Sequence, residues 1–131
     1  MYEMKDEYLT GIQQIDEEHT HLFEIAENLY QLLQEQFLSD KYDQLTAQIS
    51  ELKDYTKYHF ANEEAYMESI LYKRMFTQKI QHQEFIDFLN DFDLDNYETQ
   101  EEQDEAVAKV LDFVTDWLVR HILEQDKLIA K

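Results

Sequence analysis

Apolar residues recur at intervals of three and four over four long stretches of this chain, and that spacing predicts four amphipathic helices. The first is predicted over about 17–37, with Leu22, Phe23, Ala26, Leu29, Tyr30 and Leu33 on one face. The second, about 42–67, carries Leu45, Ile49, Leu52, Tyr55 and Phe60; the third, about 70–92, carries Phe76, Ile80, Phe85, Ile86 and Leu89. The fourth, about 101–128, carries Val107, Val110, Leu111, Val114, Leu118 and Ile122. Asp16 reads as the N-cap of the first helix and Ser39 or Asp40 as that of the second, because a side-chain oxygen there can accept from free N–H groups of the next turn. Residues 1–15 read as a non-helical arm pinned across the bundle by Tyr2, Tyr8, Leu9, Ile12 and Ile15. An acidic connection, 93–104, precedes the fourth helix. With mostly short loops, the expectation is an all-α, antiparallel, up-down-up-down four-helix bundle with a non-helical N-terminal arm. One domain is expected over 1–131, the arm being 1–15 and the bundle 16–131, with no internal repeat.

Composition supports that picture and narrows the chemistry. One glycine and no proline suit long helices and leave too few turn residues for an all-β fold. Hydrophobic residues at 44% suffice for the core of one domain of 131 residues. Thirty Asp and Glu against eleven Lys and Arg give a net charge of −19, which repels nucleic acid and anionic membrane surfaces and favours a monomer. The absence of cysteine removes disulfides, thiolate metal sites, iron–sulfur clusters and thiol catalysis, so any metal must be held by nitrogen and oxygen. The start of the chain lacks a basic region followed by an apolar run, and no apolar stretch approaches the roughly 20 residues of a membrane span. The cytoplasm is the expected location.

The candidate chemistry lies in the histidines. Of the five, His19 precedes Leu22 and Phe23 by three and four, His59 follows Tyr55 by four, His82 precedes Phe85 and Ile86, and His121 follows Leu118 by three. Residues three or four apart share a helix face, so each helix should turn one imidazole inward. A single inward histidine is commonly just a hydrogen-bonded core residue. Four converging without a shared partner would leave several buried nitrogens unsatisfied, at a cost of roughly 1–3 kcal/mol each, which a metal removes. Glu63 lies one turn after His59, and Asp126 lies five after His121, within inward reach. Two buried carboxylates need counter-charge, and six ligands from four helices fit two bridged metals better than one. His21, two residues from His19, falls on the far side of its helix and reads as a surface residue.

These stretches resemble the hemerythrin family from about Gly11 to Leu128. They are Gly11-Ile12, Ile15-Asp16-Glu17-Glu18-His19 and Leu22-Phe23, then His59-Phe60-Ala61-Asn62-Glu63-Glu64-Ala65-Tyr66-Met67, then Tyr72 with His82-Gln83-Glu84-Phe85, and last Trp117-Leu118, His121-Ile122, Asp126 and Leu128. The resemblance implies two iron ions bridged by an oxo or hydroxo group, dioxygen binding at the iron with an open position, and no turnover of substrate. By position, His19 and His59 correspond to ligands of the open iron, His82 and His121 to ligands of the other, and Glu63 and Asp126 to the bridging carboxylates. Storage or delivery of dioxygen, including delivery to an oxygen-consuming protein partner, is the function so implied.

One position departs from the pattern. The family's third segment is His-x-x-x-His, and here it reads Gln78-Lys79-Ile80-Gln81-His82. Gln78 is then a weak neutral ligand or a lost one. The diiron site is expected to be retained, because four imidazoles and both bridges remain. The departure keeps three rivals in view: a diiron redox enzyme of oxidase, peroxidase or ferroxidase type, a sensor of oxygen or iron, and a metal-free structural bundle. Ferritin-like enzymes use two Glu-x-x-His motifs; the one such spacing here, Glu18-x-x-His21, is expected to face solvent. The acidic residues Asp91, Asp93, Asp95 and Glu102, with Asn96 at the turn, have the spacing of an EF-hand loop. Glu98 occupies the usual apolar position and the partner hand is missing, so a solvated acidic loop is the expectation over a calcium site. The many tyrosines and phenylalanines are read as core and pocket lining, and Met67 as packing.

Overall fold

The computed structural model describes residues 2–36 and 38–130. Four helical rods pack antiparallel: α1 (Gln13–Gln34), α2 (Lys41–Ser69), α3 (Met75–Asp91) and α4 (Gln100–His121). The last rod runs on through a π-helical turn (Ile122–Asp126) into a short α5 (Lys127–Ile129). Helix α1 packs between α2 and α4, and α2 also packs on α3. The α3–α4 seam is built with rings: Phe85 lies 4.4 Å from Trp117, and Phe88 stacks on Phe113 at 3.8 Å between centroids. Among the described residues there is no strand, and no helix is long and apolar enough to cross a membrane.

Helix α1 starts at Gln13, earlier than the sequence pattern suggested, and Asp16 is not its N-cap. Asp16 lies inside the first turn and reaches backward, accepting from the Thr10 N–H and hydroxyl (both 2.8 Å) and from Gly11 N–H (3.0 Å). Gly11 has φ +88°, a left-handed backbone that costs glycine little and that offers these donors to the carboxylate. The arm is held by Tyr8 stacked on Phe23, Tyr2 edge-on to Tyr30, and the Tyr2 N–H bonded to Glu27. It contains one 3₁₀ turn, Asp6–Tyr8, and Leu9 points to solvent instead of pinning it. The described part of α1 stops at Gln34; the predicted end, Phe37, lies outside the described residues. Buried Lys41 closes that end, donating to the Glu35 carbonyl at 2.8 Å and pairing with Asp104 of α4 at 2.9 Å.

Helix α2 follows Asp40 as expected, but no side chain caps it; the Asp40 carboxylate accepts from Gln44 instead. Helix α4 does carry a side-chain cap, the Thr99 hydroxyl accepting from Glu102 N–H.

The larger correction concerns α3. Residues 70–74 form a turn, with Leu71 at φ +54°, and the helix begins only at Met75. Its buried stripe is Gln78, His82, Phe85 and Leu89. A helix advances about 100° per residue, so turning positions 78 and 82 inward sends 76 and 80 to the far side. Phe76 is accordingly 76% exposed and Ile80 45%, where the apolar pattern had placed both in the core.

Along the bundle the interior changes character. One end is filled by Leu29, Leu45, Leu52, Leu89, Val107 and Leu111. The other end buries His19, His59, Glu63, Gln78, His82, His121 and Asp126.

Candidate metal centre

Four helices contribute to this polar end. Helix α1 supplies His19, α2 supplies His59 and Glu63 one turn apart, α3 supplies Gln78 and His82, and α4 supplies His121. Asp126 arrives by a local device. The π-helical turn after His121 bonds i to i+5, so the residue five positions on returns to the same face, where an α-helix would have rotated it away. All seven side chains are nine-tenths or more buried.

The two carboxylates divide between two histidine pairs. Glu63 Oε2 lies 3.4 Å from His59 Nε2 and 3.7 Å from His19 Nε2, while Oε1 lies 3.1 Å from His82 Nε2 and 4.0 Å from His121 Nε2. Asp126 repeats the split: Oδ2 is 3.1 Å from His19 Nε2, and Oδ1 is 3.2 Å from His121 Nε2. Two groups result, His19–His59–Glu63–Asp126 and Glu63–His82–His121–Asp126, each with donor atoms within 4.8 Å of one another. Gln78 donates from Nε2 to Asp126 Oδ1 at 3.1 Å, and its Oε1 is buried without a partner. Gln78 is fully buried within the cluster.

Residues around the cluster fix the rings. His59 Nδ1 donates to Glu18 Oε1 at 2.7 Å, His82 Nδ1 to Glu64 Oε2 at 2.8 Å, and His121 Nδ1 to Gln81 Oε1 at 2.8 Å. With a proton held on Nδ1, each Nε2 faces inward, the arrangement metal-binding histidines adopt. Phe60 stacks on His82 at 3.9 Å, and Trp117 on His121 at 4.4 Å. Asn62 donates to the second oxygen of Glu18. The expectation that Glu18 faces solvent is overturned: it is 5% exposed, because its carboxylate is drawn in by His59 across the α1–α2 seam. His21 stays at the surface between Glu24 and Glu51.

Without positive charge among them, the carboxylates bias the histidines strongly. Burial works to lower His19, but Asp126 and Glu63 outweigh it and its pKa is pushed up to about 9. His59 is raised in spite of burial by Glu18 and Glu63, and His82 by Glu63 and Glu64. Burial would raise Glu63, yet the surrounding imidazoles His19, His59 and His82 hold it well below the usual carboxylate range. The cluster is one in which protons stand where cations fit. Several of its atoms make no well-directed hydrogen bond, namely both His19 nitrogens, Glu63 Oε2, Gln78 Oε1 and Asp126 Oδ2, although His19 Nε2 and Asp126 Oδ2 face each other at 3.1 Å. Buried polar atoms are rarely left so, and a nitrogen–oxygen donor set of this kind suits a transition-metal cation. The Tyr72 hydroxyl is likewise buried without a partner; burial raises its pKa, Asp126 and Glu63 add to this, and Arg74 opposes it.

The acidic connection does not assemble in the same way. Asp93 accepts from Asp95 N–H, Asp95 accepts from the Tyr42 hydroxyl, and Glu102 opens α4. Among the described residues the two buried histidine–carboxylate groups are the ones spaced to hold a cation.

A four-helix bundle with a buried cluster of histidines and shared carboxylates defines a cation-binding protein of the bacteriohemerythrin type. The chain matches the Hemerythrin HHE cation binding domain over residues 10–131 and belongs to the hemerythrin family. It is 45% identical over 127 residues to a bacteriohemerythrin of Clostridium acetobutylicum, covering 97% of each chain. A bacteriohemerythrin of Pseudomonas aeruginosa is 30% identical over 122 residues, which span 93% of this chain and 74% of that one. One of Methylococcus capsulatus is 25% identical over 93% of this chain and 88% of its own.

Proposed function

We propose that the cluster holds two iron ions and that the protein binds dioxygen reversibly, for storage or delivery in the cytoplasm. His19 and His59 hold one iron, His82 and His121 the other, and Glu63 and Asp126 bridge them. The observation that carries this reading is the division of the Glu63 and Asp126 oxygens between the two histidine pairs. Bound ferrous iron would supply the electrons that make dioxygen binding possible. The protein's own contribution is to orient the four Nε2 atoms through Glu18, Glu64 and Gln81, and to exclude water by packing Phe60 and Trp117 over two of the rings.

A second reading, a diiron redox enzyme, is favoured by Gln78. Where a third imidazole is expected there is an amide whose nitrogen bonds Asp126. The iron held by His82 and His121 then has one strong protein ligand fewer.

The test is to load the protein with iron, reduce it without oxygen, count iron per chain and admit air while recording the visible spectrum. Two irons with a charge-transfer band that appears in air and fades under vacuum support reversible binding. Two irons that pass directly to the oxidised spectrum favour the redox enzyme. One iron or none overturns both.

A further inference from the structure

The segment between Glu68 and Glu84 contains no acidic residue, in a chain with thirty of them, and it contains three of the eleven cations. It comprises the α2–α3 turn and the first turns of α3. Lys73, Arg74 and Lys79 are exposed there, and among the described residues none of them takes part in an ion pair. Large apolar side chains lie beside them in solvent: Leu71 is 85% exposed, Phe76 76% and Ile80 45%. The backbone favours this display, since Leu71 sits at φ +54° in a turn that carries its side chain outward. Helix α3 also has no acidic residue in its first turn, so the positive end of its dipole is left uncompensated. The opposite face of the same helix carries Gln78 and His82.

We propose that this cationic, apolar face of α3 is the docking site for a small acidic electron-carrier protein. Charge complementarity selects that occupant. On a molecule of net charge −19, an acidic partner is repelled over most of the surface, and the longest acid-free run of the chain, with its three cations, offers it local attraction that orients its approach. Apolar side chains at the centre with charges around them match the small, transient interfaces that electron-transfer partners form. One helix thickness, about 10 Å, separates this face from the buried cluster. The need for electrons rests on the diiron reading; the docking itself does not.

The test uses the full, metal-loaded chain labelled with nitrogen-15 and a plant-type [2Fe–2S] ferredoxin as the acidic probe. At low ionic strength, amide signals of residues 71–80 should shift or broaden on titration. The triple variant Lys73→Glu, Arg74→Glu, Lys79→Glu should bind at least ~10-fold more weakly, as should the unaltered protein in high salt. The same variant should be reduced at least ~10-fold more slowly by reduced ferredoxin, and at an unchanged rate by uncharged dithiothreitol. The substitutions lie at exposed positions, and a variant with the unaltered circular dichroism and melting temperature is the one compared. Signals moving on another face, or equal binding by the variant, overturn the proposal. So does a face that ignores ferredoxin and instead mediates self-association or binding to phosphatidylserine vesicles. A low iron count would overturn the diiron reading while leaving the binding result to stand or fall separately.

Discussion

The two ends of this bundle are made from the same four helices and are held together differently. Around Leu29, Leu45, Leu89 and Leu111 the interior is apolar, and stability there follows from the area removed from water and from close packing. Around Glu63 the interior is polar, and each buried group depends on a neighbour of complementary charge or hydrogen-bonding type. The apolar end tolerates exchange of one hydrophobe for another of similar volume. The polar end has no such latitude, since removing one member strands the rest. Periodicity is common to both, and what differs is whether the stripe is closed by oil or by charge.

Several changes should separate the ends. Glu63→Ala should have the largest effect, reducing bound metal from the proposed two ions per chain to one or fewer. In chelator it should also destabilise the fold by ~3–5 kcal/mol, as loss of one partner in a buried charged cluster does. Metal analysis and denaturant unfolding would read both. Leu45→Ala, at the apolar end, should cost a comparable ~2–5 kcal/mol through the cavity it leaves, yet keep the full metal count. Loss of metal in that variant would show that the ends are not independent.

The pH response should then reverse sign between metal-free and metal-loaded protein. His19 has a folded pKa of about 9, above its unfolded value near 6.5. Its stabilising contribution without metal is complete below that unfolded value and is lost as pH rises toward about 9. Glu63, whose folded pKa is lowered, contributes above the ordinary carboxylate range and loses that contribution in acid. With metal bound, rising pH frees imidazoles for coordination and should stabilise. Calorimetric melts from pH 6 to 9, with and without chelator, would show parallel slopes if the cluster does not take metal.

Smaller effects follow. Glu18→Gln should weaken metal binding about 10–100-fold by loosening His59, with little change in metal-free stability relative to Glu63→Ala. Competition with a chromophoric chelator measures it. Gly11→Ala forces a side chain into the left-handed backbone that feeds Asp16, and should cost upward of ~1 kcal/mol in thermal unfolding while leaving metal affinity untouched.

Much of this was legible beforehand, because a helical stripe is a local property. The four rods, the inward histidines and the inward carboxylates Glu63 and Asp126 follow from spacings of three, four and five, whereas Gln78 is reached only through the family resemblance. What spacing did not reveal has physical causes. Phe76 and Ile80 looked like core because an apolar residue at helical spacing scores the same on either face; only the demand of Gln78 and His82 for the interior decides which stripe turns in. Sequence spacing alone places Glu18 toward solvent, because its partner, His59, is 41 positions away and belongs to another helix. The sequence does not distinguish the donors of Asp16, because a capping carboxylate can serve a chain folding back as readily as a helix going forward. Glu64 and Gln81 carry no sequence signal for the reason that applies to Glu18: supporting hydrogen bonds cross between helices and leave no periodic trace.

The π-helical turn after His121 can be regarded as a phase slip in a screw. Up to His121 the fourth rod turns its thread in step with the other three; over Ile122–Asp126 it takes one residue more than the α pitch requires, and from there every side chain is rotated relative to an uninterrupted helix. Asp126 and Ile129 face inward because of that slip. The last segment is therefore sensitive to length as well as to composition. Removing a single residue between Ile122 and Gln125 would restore an ordinary thread and keep both groups inward, Asp126 then falling four positions after His121, whereas adding one would swing both away from the axis.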